Sequence, residues 1–169
     1  MRQMFVRRSI LGYGGIACLA LLAFASRSRA ETTQLKADLK GSNQVPPNQT
    51  TGTGALTATY DSTTKRLSWG GSYSGLSGPP TAAHIHGPAA AGTNARLVFW
   101  ISENIGQCSQ GECRSNSDNK APPLTSPFQG SATLTDAQAA DLMAGLYYVN
   151  IHTDAHPRGE IRGQLVRSS

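Results

Sequence analysis

Acidic residues are missing from the first thirty positions. Asp and Glu are absent before Glu31, while Arg2, Arg7, Arg8, Arg27 and Arg29 all fall in that stretch. The chain of 169 residues carries 15 Lys+Arg against 10 Asp+Glu, a formal charge of +5. Setting those five arginines aside leaves equal numbers of basic and acidic residues, so the remainder is neutral. A basic stripe able to grip nucleic acid is therefore absent. Charged residues make up 15% and aromatics 7%, against 18 glycines. That balance argues against a helical bundle, and a neutral chain with its own apolar segments does not have the signature of a disordered tail. No phosphate-binding glycine loop, no Gly-x-Gly-x-x-Gly fingerprint and no Gly-x-Ser-x-Gly elbow occurs. The spacings support no Ser/His/Asp triad, and no catalytic residue is assigned.

Long hydrophobic runs are also lacking. The exception, positions 10–25, is uncharged, interrupted by Gly12, Gly14 and Gly15, and shorter than the ~20 residues of a membrane span. Arginines before it and small residues after it (Ala23-Phe24-Ala25, Ser28-Arg29-Ala30) read as a secretory signal. The expectation is a cleaved signal over 1–30 and one domain over 31–169, exported to the periplasm or secreted, with no membrane span after processing. Cleavage after Ala25 is the alternative. Arg7-Arg8-Ser9-Ile10-Leu11 also fits a twin-arginine signal, and both export routes stay open. Cys18 lies inside the apolar run, leaving Cys108 and Cys113. An even pair in an exported chain reads as a disulfide. Its short loop would contribute less than the ~3 kcal/mol of a 15-residue loop. A pair of thiolate metal ligands is the alternative.

What is present is a succession of short alternating segments with turn chemistry between them. Strands are expected at 33–39, 55–60, 66–73, 81–86, 96–102, 128–134, 147–152 and 160–166. The residues 61–65 read as a hairpin turn, and 41–54 and 103–127 as long loops. Thr135-Asp136-Ala137-Gln138 is a capping-box pattern opening a short helix near 135–144, with Gly145 as its stop. The expected class is all-β: a Greek-key sandwich or barrel of about eight short antiparallel strands with one short helix. Trp69, Phe99, Trp100 and Phe128 are expected to pack in the core or on the sheet.

The four histidines fall in two short segments, His84-Ile85-His86 and His152-Thr153-Asp154-Ala155-His156. Strand alternation puts His84 and His86 on one face, opposite Ala83 and Ile85. In 147–152 it sets Tyr148, Asn150 and His152 against the apolar Tyr147, Val149 and Ile151. The histidines thus lie outside the core, or beneath a loop laid over the sheet. Two imidazoles two residues apart on a strand can share one ion, and imidazole suits copper and zinc. The expected ligands are His84, His86, His152 and His156, with Asp154 as a further ligand or as a group orienting one. Solvated surface histidines are the plain alternative. Arg158, Glu160 and Arg162 form a charged cluster in which Glu160 and Arg162 share a face. It reads as a surface ion pair worth at most about 1 kcal/mol, or as an anion site. Pro157 and Gly159 are expected to form a tight turn into the last strand.

Together these pieces resemble the CHRD domain, the module named after chordin. The matching residues are Val45-Pro46-Pro47, Gly75-Leu76-Ser77-Gly78, Thr81-Ala82-Ala83-His84-Ile85-His86-Gly87-Pro88, Leu134-Thr135 with Ala140-Asp141-Leu142, and Gly145 to Thr153 running on to Pro157-Arg158-Gly159-Glu160-Ile161-Arg162-Gly163. The resemblance covers nearly all of 33–166 and implies an extracytoplasmic β-sandwich with an interaction role. A looser likeness is to the copper–zinc superoxide dismutase barrel, which implies copper ligation by His84, His86, His152 and His156. The zinc-loop pattern of that family is absent, so at most a copper-only site carries over. The expected function is an exported binding module with a histidine metal site, copper before zinc. The alternatives are a copper-dependent dismutase-like enzyme and a metal-free interaction module of the envelope. The partner would be an envelope or extracellular protein.

Overall fold

The structure is a computed structural model and describes residues 31–101 and 124–168. The expected signal segment, Cys108 and Cys113, and most of the 103–127 loop lie outside the described residues. Nine strands form one antiparallel sheet: β1 (Thr32–Lys40), β2 (Thr53–Asp61), β3 (Arg66–Ser74), β4 (Pro80–His86), β5 (Leu97–Trp100), β6 (Phe128–Thr133), β7 (Tyr148–Thr153), β8 (His156–Gln164) and the short β9 (Val166–Arg167). One helix, α1 (Asp136–Met143), joins β6 to β7. The strand order is β5-β4-β7-β8-β1-β2-β3-β6, with β9 on β1. The neighbours β4–β7 and β3–β6 are not consecutive in sequence, so the chain crosses between distant strands as in a Greek key. The fold is all-β, a nearly closed barrel. Among the described residues no helix is long and apolar enough to cross a membrane.

Alternation builds the interior. Leu35, Ala37 and Leu39 of β1 face inward with Leu56 and Ala58 of β2, Leu67 and Trp69 of β3, Ile85 of β4, Val149 and Ile151 of β7 and Ile161 of β8. Each large aliphatic side chain buried this way contributes about 1.5–3 kcal/mol. Local chemistry sets the connections. Asp61 Oδ1 accepts from the N–H groups of Thr63 and Thr64 at 2.8 and 2.9 Å, closing the β2–β3 turn. Thr135 and Gln138 form the capping box of α1, and Gly145 follows it at φ 71°.

The C-terminal hairpin departs from expectation. The turn lies at Asp154-Ala155, and Thr153 pairs with His156, so β8 begins four residues early. Pro157 and Gly159 are within the strand. Gly159 makes this feasible: its φ of +118° excludes an L side chain, and a Cβ there would strike Asn150.

Candidate metal centre

The outer face of β4, β7 and β8 carries the polar residues. Across the ladder His84 lies opposite Asn150 and Trp100, His86 opposite Tyr148, and His152 opposite Ala82. Asn150 in turn lies opposite Arg162. Because the strands run antiparallel, these partners share one face. Two loops cover it. Gln44, in the loop after β1, donates to Asn150 Oδ1 at 2.8 Å. Residues 93–95, between β4 and β5, accept from Arg162 and contact Tyr148.

Three imidazoles converge under this cover. The candidate ligand nitrogens of His84, His86 and His152 all lie within 4.8 Å of one another. His84 Nδ1 and His152 Nε2 are 3.2 Å apart. His86 Nδ1 donates to the Ala95 carbonyl and His152 Nδ1 to the Pro157 carbonyl, both at 3.1 Å. Those bonds put the proton on Nδ1 of both rings; His86 Nε2 is left with a free lone pair, while His152 Nε2 accepts from His84 Nδ1. Backbone carbonyls orienting metal-binding imidazoles in this way are a recurrent arrangement. The Nε2 atoms of His84 and His86 are buried and have no hydrogen-bond partner. Buried polar atoms are rarely left so.

Burial also holds the rings neutral. Desolvation, reinforced by His152 and His86, pushes His84 down to about 3. His86 and His152 are lowered as well, chiefly by burial. A neutral imidazole is the form that binds a metal, and no proton has to leave first. Trp100 does not join the core. Its ring stands edge-on to His84 with centroids 4.3 Å apart, and its indole N–H is buried without a partner.

The other expected ligands lie elsewhere. His156 is not part of the grouping, because the ladder register shifts between Ile151 and Thr153 and strand alternation no longer carries it to the histidine face. It lines a separate cleft with Val45, Pro46 and Arg158. Asp154 is exposed in the hairpin turn. Glu160 and Arg162 do not form the expected surface pair. They are 0% and 2% exposed, and each has its own partners. Glu160 accepts from Thr50 Oγ1, the Ser77 N–H and hydroxyl, and Thr153 Oγ1, at 2.6–2.8 Å. Burial pushes this carboxyl up, but the hydrogen bonds from Thr153, Thr50 and Ser77 outweigh it and hold it at about 2. Arg162 donates to Asn94 Oδ1 and the Thr93 carbonyl, and its Cζ sits 3.5 Å from the Tyr148 ring centroid. Arg158 is exposed.

Alternation had set Tyr148 and Asn150 beside His152. Their burial, and that of Arg162, left no local signal, since covering loops produce it. The model of the CHRD domain family matches residues 35–165. No curated protein and no solved structure matches.

Proposed function

The chain belongs to the CHRD domain family, and from that premise we propose that it is an exported binding module whose histidine centre takes a transition-metal ion, copper before zinc. One observation carries the reading: three half-buried imidazoles converge, and two of their ring nitrogens are buried with no partner. An all-imidazole set of neutral ligands suits both metals, and copper(II) stands above zinc in intrinsic affinity. His84, His86 and His152 would hold the ion, with the carbonyls of Ala95 and Pro157 orienting two of the rings. Export rests on the arginine-led apolar segment ahead of Glu31.

Calorimetric titration of purified, metal-stripped protein with Cu(II) and Zn(II) tests the site. One equivalent of copper with nitrogen hyperfine structure in the paramagnetic resonance spectrum is expected. Binding that is absent, or only submillimolar and unchanged in His84→Ala, would remove it. Following the chain by cell fractionation, with and without Arg7→Lys and Arg8→Lys, tests export and its route.

A second reading has a specific observation in its favour. Three protein ligands leave a coordination position for a small molecule, as catalytic metal sites require. Copper-loaded protein would then consume superoxide, and His152→Ala would lose that activity. Inactivity of fully loaded protein would eliminate this reading while leaving the binding site intact.

A further inference from the structure

Arg162 is a buried cation with no carboxylate opposite it among the described residues. Its guanidinium instead spans two structures. One face lies over the Tyr148 ring at 3.5 Å, and two nitrogens donate to Asn94 Oδ1 at 2.9 Å and the Thr93 carbonyl at 2.7 Å. Tyr148 continues the chain of contacts. Its hydroxyl accepts from the Ala95 N–H at 3.0 Å and approaches the Ala95 carbonyl at 3.4 Å. Its ring stacks on His86, with centroids 5.0 Å apart and planes 6° from parallel. The same Ala95 carbonyl accepts from His86 Nδ1. Arg162, Tyr148 and His86 therefore form a three-layer stack, and all three are tied to residues 93–95.

We propose that Arg162 and Tyr148 are positioning residues for the histidine centre: they clamp residues 93–95 so that the Ala95 carbonyl fixes His86 as its Nδ1–H tautomer and presents Nε2 to the ion. The physical reason is competition between two near-equivalent nitrogens. A free imidazole exchanges its proton between them, so a single presented lone pair requires an acceptor held in place at the other. A loop carbonyl does this only while the loop is held. Arg162 and Tyr148 hold it from the strand side, at buried positions. His152 provides a built-in contrast, because its orienting carbonyl, that of Pro157, belongs to the adjoining strand β8 and not to the clamped loop. The proposal takes its purpose from the metal reading, while its geometry stands without it.

The test uses Tyr148→Phe, which keeps the stacked ring and removes only the hydroxyl, and Arg162→Lys, which keeps the charge and removes the planar fork. Nitrogen-15 spectra of the imidazoles in metal-stripped protein report each tautomer directly. In the parent, His86 is expected as one tautomer. In Tyr148→Phe it becomes a mixture while His152 is unchanged, and copper affinity falls by about 10–100-fold, as for other groups that orient a ligand. Arg162→Lys moves both readouts in the same direction if it folds. Tyr148→Phe suffices if it does not. An unchanged His86 tautomer in Tyr148→Phe overturns the clamp, as does a change that reaches His152 equally. A parent that binds no copper yet shows the His86-specific change keeps the clamp and removes the metal reading.

Discussion

Two polar centres draw on adjoining residues of β7, Thr153 for one and His152 for the other, and are built on opposite logic. At Glu160 the carboxylate is met by four donors from Thr50, Ser77 and Thr153. At the histidines, two buried nitrogens face no donor. A fully satisfied network fixes strands and loops in one arrangement. An unsatisfied one costs stability, which a fold retains where something else supplies the partner. Glu160 joins β8 to the loop at Thr50, the loop at Ser77 and the end of β7. The histidines make fewer bonds, His84 with His152, His86 with the Ala95 carbonyl and His152 with the Pro157 carbonyl, and two of their nitrogens are left over. The contrast marks Glu160 as a structural post and the imidazoles as the candidate site.

The comparison breaks most decisively at Glu160. Glu160→Ala strands four donors and should destabilise the domain by about 4 kcal/mol, the scale of losing one member of a buried charged network. Urea unfolding reads this, and a loss under about 1 kcal/mol would show that the carboxylate is not structural. The same centre sets an acid limit. The Glu160 carboxyl lies near 2 against an ordinary 4.5, so its stabilisation is complete above pH 4.5 and is lost as pH falls toward 2. The loss amounts to about 3 kcal/mol. Histidines held neutral by burial act in the same direction but earlier: for His84, between its ordinary 6.5 and about 3. Unfolding curves from pH 7 to 2 should therefore show two phases. Only the lower one should vanish in a Glu160 variant that still folds.

The histidine side gives smaller effects on stability and larger ones on binding. His152→Ala should reduce copper affinity by at least about 100-fold, equivalent to about 2.7 kcal/mol of binding. His84→Leu removes an unsatisfied nitrogen together with the weak Nδ1 bond to His152, two opposed effects, and should change stability by less than about 1 kcal/mol in either direction. A loss of several kcal/mol would mean that the imidazoles are structural after all. The smallest effects belong to the residues the register excludes. His156→Ala and Asp154→Ala should shift both affinity and stability by less than about 0.5 kcal/mol, as ordinary surface substitutions do. A copper site lost in His156→Ala would restore the four-histidine arrangement.

Much of this was readable along the chain. The alternation in 81–86 and 147–152 assigns Ile85, Val149 and Ile151 to the interior and His84, His86 and His152 to the other face, and that is where they lie. The capping box at Thr135 and Gln138 starts the helix at the expected place. His156 was expected as a ligand from its spacing to His152, but the intervening turn at 154–155 and the register shift after Ile151 set it opposite Thr153 and outside the grouping. The Glu160–Arg162 pair failed for another reason. Side chains two apart on a strand share a face, but which loop lies over each is decided by contacts more than a hundred residues away in sequence, as between Glu160 and Thr50.

The amino-acid sequence by itself determined the all-β class, the short helix, the neutral balance of charge behind an arginine-led apolar segment, and the face on which His84, His86 and His152 stand. All of these depend on composition or on a two-residue or helical period, and a period acts locally. The tertiary structure alone decided that β4 and β7 are neighbours, that three of the four histidines meet, that Glu160 and Arg162 are buried apart, and that Ala95 reaches His86. Pairing of distant strands and the draping of loops across them are set by closing the whole barrel around its core, and no local pattern encodes that closure.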